Sequence, residues 1–148
     1  MGLACVGGTV SRPRGAGSRI EVRASCDDNP WVSPTVLIVD DHAAFRSCAR
    51  ALLEADGYEV VGEAANGEAG IEAAHALAPD IVLLDVRLPD MDGFAVAESL
   101  RANGDGPTVI VTSSSDDPLY PERAAGSGAV GFVAKHDVCG AALDRLLG

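Results

Sequence analysis

The chain has 148 residues, 47% of them apolar and 22% charged, close to the globular average and enough for one packed domain plus a tail, with no room for two. Eleven basic residues face twenty-two acidic ones, a formal charge of −11, a poor match to the basic footprint that a phosphate backbone selects, so direct nucleic-acid binding is not expected. No window approaches the roughly 18 uninterrupted apolar residues of a membrane span, and the start lacks a signal peptide's charged region and apolar stretch, so a cytoplasmic location without membrane contact is expected.

Residues 1–33 are rich in Gly, Arg and Ser, show no apolar periodicity and run into Pro-Trp-Val-Ser-Pro, which reads as a flexible or disordered N-terminal extension. A mis-called translation start and a docking arm that uses Trp31 are the alternatives. Residues 35–148 carry seven basic and nineteen acidic side chains, so the acidity belongs to the folded part. Cys5, Cys26, Cys48 and Cys139 show neither CxxC nor metal-ligand spacing, so reduced thiols are expected, with no disulfide and no zinc.

From Thr35 onward, short apolar runs alternate with helix-like segments, the pattern of βαβ units around a parallel sheet. The runs are Val36–Val39, Glu59–Ala65, Ile81–Leu84, Thr108–Val111 and Gly131–Ala134. In the first helix Phe45, Cys48, Ala49, Leu52 and Leu53 keep helical spacing, Arg46, Arg50 and Glu54 fall opposite them, and Gly57 supplies the stop. Gly67–Ala78 and Gly93–Asn103 read as the next two helices, with Ile71, Ala74, Leu77 and Phe94, Ala97, Leu100 facing inward. A fourth over 117–127 is short or irregular because Pro121 interrupts it and Gly126 and Gly128 weaken its end. The last begins at Asp137 as N-cap and presents Val138, Ala142 and Leu146. The chain stops at Gly148, so no output domain is expected after it.

The working groups of an open parallel sheet lie just past the carboxyl ends of its strands. Here the first run ends in Asp40-Asp41, the third in Asp85, the fourth in Thr112-Ser113 and the fifth in Lys135. The second offers only small residues and Asn66, which suits an edge strand and hence the flavodoxin-like order 2-1-3-4-5. Three carboxylates at one sheet edge repel one another unless a cation compensates. Hard oxygen ligands without a Cys/His cluster favour Mg²⁺.

Taken singly, each residue has an ordinary role: Asp40 or Asp41 caps a helix, Asp85 opens a turn, Thr112 is a β-branched strand residue. Four polar strand ends together are harder to explain so. Lys135 is the single lysine beside ten arginines; its compact charge on a flexible stem suits reaching across strand ends toward a carboxylate or phosphoryl oxygen, whereas a snorkelling surface lysine is the plain alternative. After Asp85, Pro89 presets a tight turn and Gly93 permits close approach, leaving the carboxylate exposed as a phosphoryl acceptor. His42, His75 and His136 read as solvated histidines, not ligands.

LIVDD, DIVLLDVRLPDMDG, VIVTSS and GAVGFVAK resemble the motifs of the response-regulator receiver domain across about 35–148. The resemblance implies a (βα)₅ three-layer sandwich with Asp85 as phosphoacceptor. It implies Mg²⁺ held directly by Asp41, through water by Asp40, and by Asp85 and the backbone carbonyl of Arg87. Thr112 is then the switch hydroxyl, Phe132 the aromatic switch and Lys135 the partner of the phosphoryl group. A histidine kinase or phosphotransfer protein donates the phosphate, hydrolysis resets the switch, and an unknown downstream protein reads it, with a phosphorylation-linked homodimer as a further outcome.

Two departures stand out. His136 follows Lys135 where the family often has a cis proline, as in receivers of transcription-factor type that share the Asp-Asp-His start, so a cis bond is not expected. Phe132 replaces a frequent Tyr and can act through packing alone. Arg87 is expected to influence entry of the attacking water. The competing readings are a phosphorylation-independent binding module on the same fold and a small phosphohydrolase. The hydrolase needs a second acid where Arg87 stands, and a nucleotide-binding enzyme is disfavoured because GxxxxGK[ST] and GxGxxG are both absent.

Overall fold

A computed structural model describes residues 33–102, 106–115 and 117–147; the N-terminal extension, Trp31, Cys5 and Cys26 lie outside them. The elements are β1 (Thr35–Val39), α1 (Ala43–Ala55), β2 (Glu59–Ala64), α2 (Gly67–Leu77), β3 (Ile81–Asp85), α3 (Gly93–Arg101), β4 (Thr108–Ser113), α4 (Tyr120–Gly126), β5 (Gly131–Ala134), a 3₁₀ turn (Lys135–Asp137) and α5 (Gly140–Leu147). All strands are parallel, in the order β2-β1-β3-β4-β5. This is the flavodoxin-like (βα)₅ sandwich.

Both faces of the sheet are covered, which is why the central strands read as unbroken apolar runs. Alternation divides each strand between two cores. Leu37, Val39, Leu84 and Val111 pack with Phe94 and Leu100 beneath α2, α3 and α4. Ile38, Leu83 and Ile110 pack with Leu53 and Leu143 beneath α1 and α5. Register fixes the working edge: Val39 pairs with Leu84, Asp85 with Thr112, and Ser113 with Ala134. Asp40, Asp85, Thr112 and Lys135 therefore reach the same end of the sheet.

Several expected details are corrected. Pro121 does not interrupt α4; it occupies the first turn, where no helical partner for its missing N–H is needed. Asp137 does not cap the last helix, because Lys135–Asp137 form the 3₁₀ turn and α5 starts at Gly140. The Gly140 amide is held by Asp56 Oδ2 at 2.7 Å from across the fold. In α1, Ala49 and Leu53 are buried while Cys48 and Leu52 face outward. Arg46 and Arg50 turn toward β2 and share Glu63 at 2.9 and 2.8 Å. Leu77, expected inward, is 44% exposed at the rim, where it overhangs Gly62.

The loop after β3 is tied down at both ends. Asp90 accepts the amides of Gly67 and Glu68, at 2.7 and 2.9 Å, at the start of α2, supplementing the Asn66 cap on Ala69. Those amides, Glu68 first and then Gly67, hold the Asp90 carboxyl below its ordinary value of 3.8. A depressed carboxyl contributes stability above its unfolded pKa and loses it as pH falls through the folded one. A ¹³C carboxyl titration is expected to give Asp90 a midpoint below 3.8, and Asp90→Asn should erase the part of the stability loss below that pH that this group causes.

Gly93 begins α3 directly against the end of β3. Its amide donates to Val86 O at 2.7 Å, and a Cβ there would collide with the Asp85 carbonyl, which is backbone and cannot swing aside. Gly93→Ala is expected to destabilise the domain by about 1–3 kcal/mol, measured by urea unfolding.

Candidate functional site

Asp40 leaves β1 fully buried, and its amide is anchored on Ala64 O at 2.9 Å. Its Oδ1 accepts the His42 amide at 2.7 Å, a two-residue turn that starts α1. The Arg46 guanidinium donates to the Asp40 carbonyl at 2.5 Å, fixing the loop from behind. Asp85 ends β3 at 4% exposure and its Oδ1 accepts the Arg87 amide at 3.3 Å.

Lys135 joins the two acids. Its Nζ lies 2.6 Å from Asp40 Oδ2 and 3.3 Å from Asp85 Oδ2, over the face of Phe45 at 4.8 Å. The approach to Asp40 is ionic rather than directional, because Oδ2 has no aligned hydrogen bond despite its burial. Burial first, and then the Asp40 charge, push the Asp85 carboxyl above its ordinary range, while Lys135 and the Arg87 amide pull it back.

One oxygen from each of Asp40, Asp41 and Asp85 and a ring nitrogen of His42 lie within 4.8 Å of one another. Asp40 and Asp85 share the Lys135 ammonium, Asp41 meets only the His42 ring, and a buried carboxylate oxygen of Asp40 lacks a hydrogen bond. This donor set fits a hard divalent cation. Asp41 is exposed at the mouth.

The other expected residues sit around this centre. Thr112 is 1% exposed, opposite Asp85 in register, with its hydroxyl donating to Leu84 O at 3.5 Å. Arg87 is exposed in the following loop, which an antiparallel bridge to Asp92 closes. Phe132 lies outside the acidic pocket. It belongs to an aromatic row on the α3–α4 side, 5.7 Å from Tyr120, which in turn is 5.9 Å from Phe94. Arg123 covers Phe94 at 4.3 Å. His136 is exposed beside Asp137 at 3.6 Å, and no cis peptide occurs among the described residues.

Three contributors escape a sequence reading: the His42 ring, Phe45 beneath the ammonium and Arg46 behind Asp40. Phe45 and Arg46 carry a signal only in hindsight, since both stand one turn into the helix that follows the acidic pair.

Comparison with known proteins agrees with this architecture. The family model described as the response regulator receiver domain matches residues 36–139, and the chain belongs to that family. It is a receiver domain of the kind used by response regulators in two-component systems. BvgA of Bordetella pertussis is 40% identical over 102 residues, 69% of this chain and 49% of its own length. The response regulator GacA of Pseudomonas syringae pv. syringae is 41% identical over 102 residues, 68% of this chain and 47% of its own. The chain thus spans about half the length of the curated relatives it matches. The signal receiver domain of NarL from Mycobacterium tuberculosis superposes with a TM-score of 0.71 at 36% identity, covering 78% of this chain and 98% of that one. Among the described residues no helix is long and apolar enough to cross a membrane.

Proposed function

We propose that Asp85 accepts a phosphoryl group from a phosphohistidine of a histidine kinase or phosphotransfer protein. The observation that carries this reading is the convergence of Asp40, Asp41, Asp85 and Lys135 within one pocket. An Asp85 oxygen forms the new P–O bond as the P–N bond to the donor imidazole breaks, and the electron pair stays with the imidazole. Asp41, Asp85 and the carbonyl of Arg87, with Asp40 through water, would hold Mg²⁺, which would supply positive charge to offset that of the transferring phosphoryl oxygens. Lys135 swings from its carboxylate partners toward the new phosphoryl group, and the Thr112 hydroxyl leaves Leu84 O to donate to it. Phe132 repacks along the aromatic row and changes the surface that a downstream protein or a second copy reads. Hydrolysis of the acylphosphate resets the domain, so the chain acts as a cytoplasmic signalling switch rather than a turnover enzyme. With seven basic residues against nineteen acidic ones in 35–148, this domain is not expected to bind nucleic acid directly.

The test is labelling of the full chain by acetyl phosphate. Uptake that requires Mg²⁺ and maps to Asp85 is expected; uptake independent of the metal, or none, overturns the reading. Arg87, exposed two residues from the acceptor, influences entry of the attacking water. Arg87→Ala is expected to change the lifetime of the phosphorylated form, and equal half-lives would remove that role.

A further inference from the structure

His42 is the one member of the acidic pocket that a phosphorylation chemistry built on oxygen ligands leaves unused. Its Nδ1 lies 3.1 Å from Asp40 Oδ1 and 3.1 Å from Asp41 Oδ1. It is also 3.5 Å from Lys135 Nζ. Adjacent ligands of an octahedral ion bound at ~2.1 Å stand about 3 Å apart, so the ring nitrogen stands from each carboxylate oxygen at the separation of neighbouring vertices, a spacing that a hydrogen bond to Asp40 occupies in the metal-free chain. The spacing is held by backbone: the His42 amide is bonded to the Asp40 carboxylate at 2.7 Å, and Arg46 grips the Asp40 carbonyl. Asp40 Oδ2, behind them, is buried without a hydrogen bond and has only the Lys135 ammonium, at 2.6 Å, to offset its charge, so the pocket holds more negative charge than its own cation balances.

We infer that His42 Nδ1 is a further metal ligand, and that it biases the pocket from Mg²⁺ toward first-row transition ions such as Mn²⁺. The inference rests on the cation-binding reading of the pocket. Imidazole nitrogen adds little for Mg²⁺, which selects oxygen, whereas Mn²⁺ and the later divalent ions accept nitrogen readily. One tautomer of the neutral ring keeps its proton on Nε2 and leaves the Nδ1 lone pair directed at the two aspartates. The ring is largely solvent-exposed, with 67% of its side chain accessible, so rotating it onto an ion disturbs no core packing. His136, the other nearby histidine, pairs with Asp137 and stands outside the cluster.

Mn²⁺ bound to the full chain provides the test, by electron spin-echo envelope modulation together with calorimetric titration of Mn²⁺ and Mg²⁺. The wild type is expected to show modulation from a directly bound nitrogen, and His42→Gln to lose it. The ratio of Mn²⁺ to Mg²⁺ affinity should fall roughly tenfold in that variant, with Mg²⁺ affinity itself changing little. Mn²⁺ bound without nitrogen modulation, or a ratio unchanged by the substitution, overturns the role of His42 alone. Absence of Mn²⁺ and Mg²⁺ binding in the wild type, or binding that survives Asp41→Ala undiminished, overturns the cation reading beneath it.

Discussion

Asp85→Asn is expected to abolish phosphoryl uptake and yet melt at a higher temperature than the wild type in metal-free buffer. Loss of labelling follows because an amide oxygen is a poor nucleophile, and Asp40, the other acid beside Lys135, is fully buried at the end of β1. The gain in stability has a separate cause. Asp85 is buried beside Asp40, and both effects lift its carboxyl above the ordinary range against the pull of Lys135. At neutral pH the folded protein therefore carries a charge that the unfolded chain holds more comfortably, and a neutral isostere removes that cost. The sign is specific: a raised carboxyl contributes stability below its unfolded value and loses it as pH rises, so the variant's advantage should shrink as pH falls toward 3.8, the ordinary value. Thermal unfolding across pH, run beside acetyl phosphate labelling, checks both halves. An Asp85→Asn protein that still takes label at a single site would place the acceptor elsewhere.

Such a site trades stability for function, and the sequence reveals most of it because a parallel sheet leaves little freedom. Once five apolar runs alternate with helices, the residue after each run lies at the same edge, so Asp40, Asp85, Thr112 and Lys135 are legible without coordinates. The order β2-β1-β3-β4-β5 follows in part from the plain ending of the second run. What escapes is whatever depends on long-range partners. Asp137 has the chemistry of a cap, but Lys135–Asp137 are taken up in a tight turn and the α5 amide is held by Asp56 from another loop. Arg46 and Arg50 look like a solvated stripe until Glu63 on the neighbouring strand turns them inward. His42 is as exposed as its place at a helix start suggests, but a two-residue turn folds its ring back over the aspartates. Phe132 is found on β5 as expected, whereas its partner Tyr120 comes from a helix that Pro121 made hard to read.

The second large effect concerns the ammonium. Lys135→Ala should destabilise the metal-free domain by about 3 kcal/mol, since deleting one partner of a buried ion pair strands the charge left behind. Here two acids are stranded, with side chains 1% and 5% exposed, and Asp40 Oδ2 has no hydrogen bond to fall back on. The loss should be largely recovered by millimolar Mg²⁺, because a cation that binds only the folded state adds stability in proportion to the logarithm of its concentration over its Kd. It should also be partly recovered by Asp85→Asn, because the double variant no longer opposes two carboxylates. Summed single effects therefore will not predict the pair, as expected for side chains in direct contact. Urea unfolding of the wild type, both single variants and the double variant, with and without Mg²⁺, measures that coupling. Additive effects insensitive to the metal would mean that Lys135 contributes only through its contact with Phe45, and that Asp40, Asp85 and Lys135 do not form one electrostatic unit.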